Sequence, residues 1–204
     1  MNKKFAFTLS EVLVTMGIIG VISALTVPTL VNNYQRKALA LQLRKTVSDI
    51  DNAIDMLITE EGKTKFSATS YYNNLDGFIT NRLKTIKTCT KDKTNECFAN
   101  ENYNTINGDA GSAFTCEGNS YVLANSAAIC MYKKVGLYNG NPVVVVDTNG
   151  QEGPNIGGRD IFTFTILPNG EIYGTGNENE CSRDPFGDGC YDLLVTENNW
   201  KMNY

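Results

Sequence analysis

Residues 12–31 include no charged side chain, and Val, Ile, Leu, Met, Ala and Gly dominate them. A run of that length crosses a hydrocarbon core of about 30 Å as a helix. Residues 32–37 turn polar, as a helix leaving a membrane should. Apolar positions then recur at Leu39, Leu43, Val47, Ile50, Ile54 and Leu57, in steps of three and four that define one helical face. Arg44, Lys45, Asp49, Asp51 and Asp55 occupy the other faces, and Gly62 supplies a stop. The spacing predicts one helix over 7–61, roughly 80 Å long at about 1.5 Å per residue. Its apolar second half is expected to pack on the domain's own sheet. Pro28 lacks a backbone donor and is expected to kink or loosen the helix partway along.

Beyond residue 62 the pattern weakens before it sharpens. Residues 63–119 are rich in Thr, Asn, Ser, Lys and Gly, with patchy anchors at Tyr71, Tyr72, Phe78 and Ile79, and read as short helices and loops. Residues 128–132 and 143–146 are short apolar runs, and 162–166 alternate at period two, as strands do. Pro168, Asn169 and Gly170 make a turn, after which 171–173 can return as the second strand of a hairpin. The expected fold is α+β: a long N-terminal helix packed on a C-terminal antiparallel sheet.

Glu11 stands at the start of the apolar run. A carboxylate in hydrocarbon costs on the order of 2.5–3.5 kcal/mol, so an acid there calls for a functional reason and a partner. Read from Lys3 and Lys4 through Ala6, Phe7, Thr8, Leu9, Ser10 and Glu11, the order resembles the prepilin signature of type IV pilins and type II secretion pseudopilins. The resemblance covers about the first sixth of the chain. It implies cleavage by a prepilin peptidase between Ala6 and Phe7, methylation of the new amino terminus at Phe7, and an assembly role for Glu11. It also places the family's helix-interrupting glycine and proline on Gly20 and Pro28. One departure is Ala6, where the family usually has Gly; Ala is the nearest residue in size, so processing is expected, at a lower rate.

A secretory signal or a plain anchor fits less well. The best small-residue cleavage site, after Ser23 and Ala24, has Ile22 three residues back, and neither reading has a use for Glu11. The two lysines predict a cytoplasmic amino terminus in the inner membrane, with the remainder exported. The domain reading is a leader over 1–6, a membrane or filament-core helix over 7–31, its amphipathic continuation over 32–62, and an exported globular domain over 63–204.

Composition narrows what that domain does. The formal charge is −4, and loss of Lys3 and Lys4 would take it to −6. Lys and Arg form no run, so nucleic-acid binding is not expected. Histidine is absent, which excludes His-dependent triads and His-containing zinc sites. The six cysteines, Cys89, Cys97, Cys116, Cys130, Cys181 and Cys190, all lie in the part expected to be exported. An even count there reads as disulfides formed in an oxidising compartment. Six cysteines allow fifteen pairings; the simplest joins sequence neighbours, 89 with 97, 116 with 130, and 181 with 190.

Between two predicted strands, Asp147, Asn149 and Gln151 offer oxygens at alternate positions, and Asp160 could close a shell around a hard cation such as calcium. The loop is not an EF-hand: its sixth position is Glu152 instead of Gly, and its twelfth is Gly158 instead of Glu. Resemblance to major pseudopilins, which hold calcium in a late loop, supports a metal at Asp147, Asn149 and Asp160. Turn chemistry, with Asp147 and Asn149 bonding local backbone, explains the same residues. A second acidic loop at 184–189 is explained by turn chemistry almost entirely. No spacing nominates a catalytic base, and the glycines at 150–158 are not followed by the Gly-Lys-Ser/Thr of a phosphate loop. No enzyme activity is expected, and no cofactor other than calcium. The reading is a structural filament subunit whose partners are other pilin or pseudopilin subunits, the peptidase and the membrane. A monomeric membrane-anchored binding or adhesion module is the alternative.

Overall fold

The computed structural model describes residues 8–134 and 138–204. The chain divides into two units, Met1–Lys37 and Ala38–Tyr204. Helix α1, Leu9–Glu60, is assigned as continuous helix through Gly20 and Pro28. Within the first unit its apolar side chains are exposed all round, from Leu9 through Leu25 to Val31. A helix apolar on every face is a membrane span or the core of a larger assembly, and α1 is the one described helix long and apolar enough to cross a membrane.

In the second unit the same helix becomes amphipathic. Ala40, Leu43, Thr46, Val47, Ile50, Ala53, Ile54 and Leu57 are buried, and they include nearly all of the face read from the spacing. The helix ends as its glycine predicts. Gly62 has φ +61°, its N–H donates to the Thr59 carbonyl at 3.1 Å, and the Lys63 N–H reaches back to Ile58 at 2.9 Å. That is a Schellman closure, which a residue with a Cβ adopts only with strain.

Six strands form one antiparallel meander in chain order. They are β1 (Thr85–Cys89), β2 (Ser120–Leu123), β3 (Ala128–Lys133), β4 (Pro142–Asp147), β5 (Ile161–Ile166) and β6 (Ile172–Gly174). The four expected strands are β3 to β6. β1 falls in the stretch read as short helices and loops, because five residues of Thr, Ile, Lys and Cys carry little apolar pattern, and β2 follows that stretch directly in four residues assigned to no element. Short helix α2, Leu75–Arg82, precedes them, with the Asn74 side chain capping the Gly77 N–H.

One face of the sheet carries Tyr121, Ile129, Met131, Val144, Val146, Phe162, Phe164 and Ile166 into the core shared with α1. The opposite face carries Ala128, Cys130, Val145 and Ile161 into a second core with Phe98, Tyr103 and Phe114 from the connection before β2. Because both faces are covered, every residue of β4 and β5 is buried. On β5 the two threonines of the alternating run satisfy their hydroxyls internally. Thr163 Oγ1 donates to the Phe186 carbonyl at 2.8 Å, and Thr165 Oγ1 to that of Pro142 at 3.0 Å.

Disulfides join Cys89 to Cys97, Cys116 to Cys130, and Cys181 to Cys190. All six half-cystines are buried. The first two fasten the loop-rich second core onto β1 and β3. The third closes the loop that follows β6.

Candidate functional site

At the start of α1 the structure brings together Thr8 and Glu11. Thr8 N–H and Thr8 Oγ1–H both donate to Glu11 Oε2 at 2.8 Å, and the Glu11 N–H donates to Thr8 Oγ1 at 3.3 Å. Thr8 is the N-cap and Glu11 the third helical residue, so this is a capping box that satisfies donors left over at a helix start. The Thr-x-x-Glu spacing shows it in the sequence, although attention to Glu11 as a lone acid hides it. The carboxylate therefore has local partners within its own chain. Ala6 and Phe7, on either side of the expected cut, lie outside the described residues. Gly20 has open space around its Cα. Pro28 has no N–H to give the Ala24 carbonyl one turn back.

The loop after β4 is the other candidate. Asp147 is fully buried. Its Oδ1 accepts the N–H groups of Asn149 at 3.1 Å and Gly150 at 2.9 Å. Its Oδ2 accepts the Tyr103 hydroxyl at 2.5 Å, and that hydroxyl in turn accepts the Ala99 N–H at 3.1 Å. Asp160, also fully buried, accepts the Asn155 N–H at 2.6 Å and the Ile156 N–H at 2.8 Å, one on each oxygen. Asn149 turns its amide to the Gly153 carbonyl at 2.8 Å. The three predicted residues thus share one locality, but their carboxylates already serve backbone and hydroxyl donors. Asn149 Oδ1 and Asn155 Oδ1 are buried acceptors without a protein donor. A cation there would draw on those amide oxygens and would have to displace N–H donors from both aspartates.

The cluster fastens two long connections together. Tyr103 lies in the segment between β1 and β2, 44 residues from Asp147. Beside it, the Asn104 N–H donates to Asn155 at 2.8 Å and the Gly157 N–H to Asn104 at 2.9 Å. No local pattern in the sequence could have nominated Tyr103. The second acidic loop does what turn chemistry predicts: Asp184 Oδ1 accepts the N–H groups of Phe186 and Asp188.

Burial dominates the electrostatics of the buried pair. It pushes Asp160 up to about 6, although four backbone hydrogen bonds act in the other direction. Burial, reinforced by the Asp160 charge, pushes Asp147 well above the usual carboxylate range. A carboxyl raised in the fold keeps its proton where the unfolded chain, near about 3.9, has lost it. Its contribution to stability is therefore complete below about pH 4 and is lost as pH rises through the folded value. The folded protein should melt higher at pH 5 than at pH 8, and Asp147→Asn should flatten that slope by holding the site neutral. Thermal melts of the detergent-solubilised chain across that range check both outcomes. In the same melts millimolar calcium or a chelator should leave the midpoint unchanged; a rise with calcium would assign the loop to a metal.

Residues 1–27 match the family described as the Prokaryotic N-terminal methylation motif. The chain thus carries the prepilin-type cleavage signal of type IV pilins and pseudopilins. That motif belongs to structural subunits, implies assembly with other pilin-type subunits in general terms, and together with the apolar helix agrees with a membrane anchor. No curated protein and no solved structure matches the chain.

Proposed function

We propose that this protein is a structural subunit of a type IV pilus-like filament or a type II secretion pseudopilus. The observation that carries the reading is an apolar, all-round exposed helix that opens with Glu11 inside the methylation motif. In this reading the leader stays on the cytoplasmic side with Lys3 and Lys4, and the chain waits in the inner membrane as a single-pass protein. A prepilin peptidase cuts between Ala6 and Phe7. Neighbouring subunits then bury the exposed apolar half of α1 in a helical bundle. Glu11 enters that bundle against the protonated amine of Phe7 on the adjacent subunit, since a lone charge in such surroundings is costly and a paired one is tolerated. Residues 63–204, with the amphipathic part of α1, form the exported body.

Amino-terminal mass spectrometry of protein taken from membranes tests the processing step. The mature chain should begin at a methylated Phe7. Ala6→Gly should be cut at least as well, and Ala6→Leu should accumulate uncut. A start at Met1 or near Leu25 would remove the prepilin reading. Electron microscopy of sheared filaments probed with an antibody to this chain separates a filament subunit from a monomeric anchored module.

A further inference from the structure

The unit Ala38–Tyr204 carries two complementary surfaces on opposite flanks of α1. The first is acidic. Asp51 and Asp55 stand one helical turn apart, exposed, and neither has an ion pair among the described residues. Like charges at that spacing destabilise a helix. Partial burial and, after it, the Asp55 charge push the Asp51 carboxyl up. Among the described residues no ion pair offsets that repulsion.

The second surface is a cleft of about 490 Å³ between α1, the end of α2 and the turn from β2 to β3. Lys45 stands on its helix wall, Arg82 and Lys84 on the other, and the buried side chains of Leu83 and Leu123 contribute to its lining. Arg82 is held by Glu60 at 2.5 Å, and its Nε is buried without a hydrogen-bond partner. Lys45 and Lys84 are exposed and, among the described residues, have no ion pair. Asp49 also lines the cleft, so its net charge, with Glu60 counted, is modestly positive in a chain that is acidic overall.

Helical geometry fixes where the two surfaces lie. Measured from Ile50 at the centre of the buried stripe, Asp51 and Asp55 project at about +100° and +140°, while Lys45 and Asp49 project at about −140° and −100°. An interface between two different patches on opposite flanks is heterologous: each copy offers one patch and receives the other, so the contact repeats along an assembly instead of closing at a pair. We propose that the Lys45–Arg82–Lys84 cleft receives the Asp51 and Asp55 side chains of a second copy of this chain. The proposal rests on the filament reading and names the contact between exported domains that would accompany packing of the apolar helices.

Charge reversal in the full-length chain tests it, with sheared-filament yield and membrane accumulation measured side by side. Asp51→Lys with Asp55→Lys, and separately Lys45→Glu with Lys84→Glu, should each lower filament yield roughly tenfold, with membrane accumulation unchanged. The chain carrying all four changes should recover most of the yield, because its patches are complementary again. As a second measurement, Asp55→Cys with Lys84→Cys should give disulfide-linked multimers on a non-reducing gel, whereas either change alone should give none. Normal yield from both reversed pairs, or a fourfold variant no better than the pairs, overturns the contact while wild-type filaments leave the filament reading standing. A wild-type chain that forms no filament overturns that reading and the contact with it.

Discussion

Glu11→Val should lower filament yield at least roughly tenfold while membrane insertion is unchanged or improved. Removing an acid from the apolar run favours insertion, whereas the neighbouring amine of Phe7 would then enter the bundle without a counter-charge. The structure makes a sharper version of the experiment available. Glu11 is also the third residue of a capping box with Thr8, and Val at that position removes the half of the box that its carboxylate supplies. Glu11→Gln preserves the box, since Gln serves at that position, but removes the charge. Equal loss with Val and Gln assigns Glu11 to charge pairing between subunits. Normal yield from Gln with loss from Val would assign it to helix initiation, and normal yield from both would rule out a role in assembly.

Replacing Cys181 and Cys190 together by Ala should destabilise the unit Ala38–Tyr204 by about 3 kcal/mol, the entropic value for a closed loop of roughly ten residues. In a domain of this size that lowers the melting temperature by about 6–12 °C. Both half-cystines are buried against the main core, and Gly158 packs against both sulfur atoms, leaving no room for a Cβ, so a cavity adds to the entropic cost. Circular dichroism of the detergent-solubilised chain gives the shift. Non-reducing peptide mapping should show six blocked cysteines in the wild type and four in the variant. An unchanged melting curve would mean that the loop after β6 is held by its hydrogen bonds alone.

How much of this was legible in the chain depends on how local each determinant is. The long helix, its amphipathic half and its stop at Gly62 are written in consecutive residues, because helical periodicity and a left-handed glycine act within one or two turns. The same holds for β3 to β5, whose apolar or alternating runs each span a strand, and for β6, which the turn at 168–170 announces. Nearest-neighbour cysteine pairing agrees with the bonds in the structure, since short loops close at small entropic cost. β1 escaped because Thr and Lys become strand residues only when a neighbouring strand and a disulfide supply their context, and β2 is a four-residue run whose partners appear only in the sheet.

The loop at Asp147 shows the opposite limit. Its oxygens at alternate positions suggest a cation shell, yet spacing cannot reveal which donors reach them. The Tyr103 hydroxyl arrives from 44 residues away, and the backbone turns at 149–150 and 155–156 aim their N–H groups inward. The sequence by itself determined the membrane-competent helix, the processing signal and the α+β class, all of which rest on contiguous residues. Only the tertiary structure decided the two-sided burial of the sheet, the anchoring of Asp147 and the placement of Lys45 beside Arg82 and Lys84. Those depend on groups far apart in the chain, brought into contact by a core whose packing no local pattern encodes.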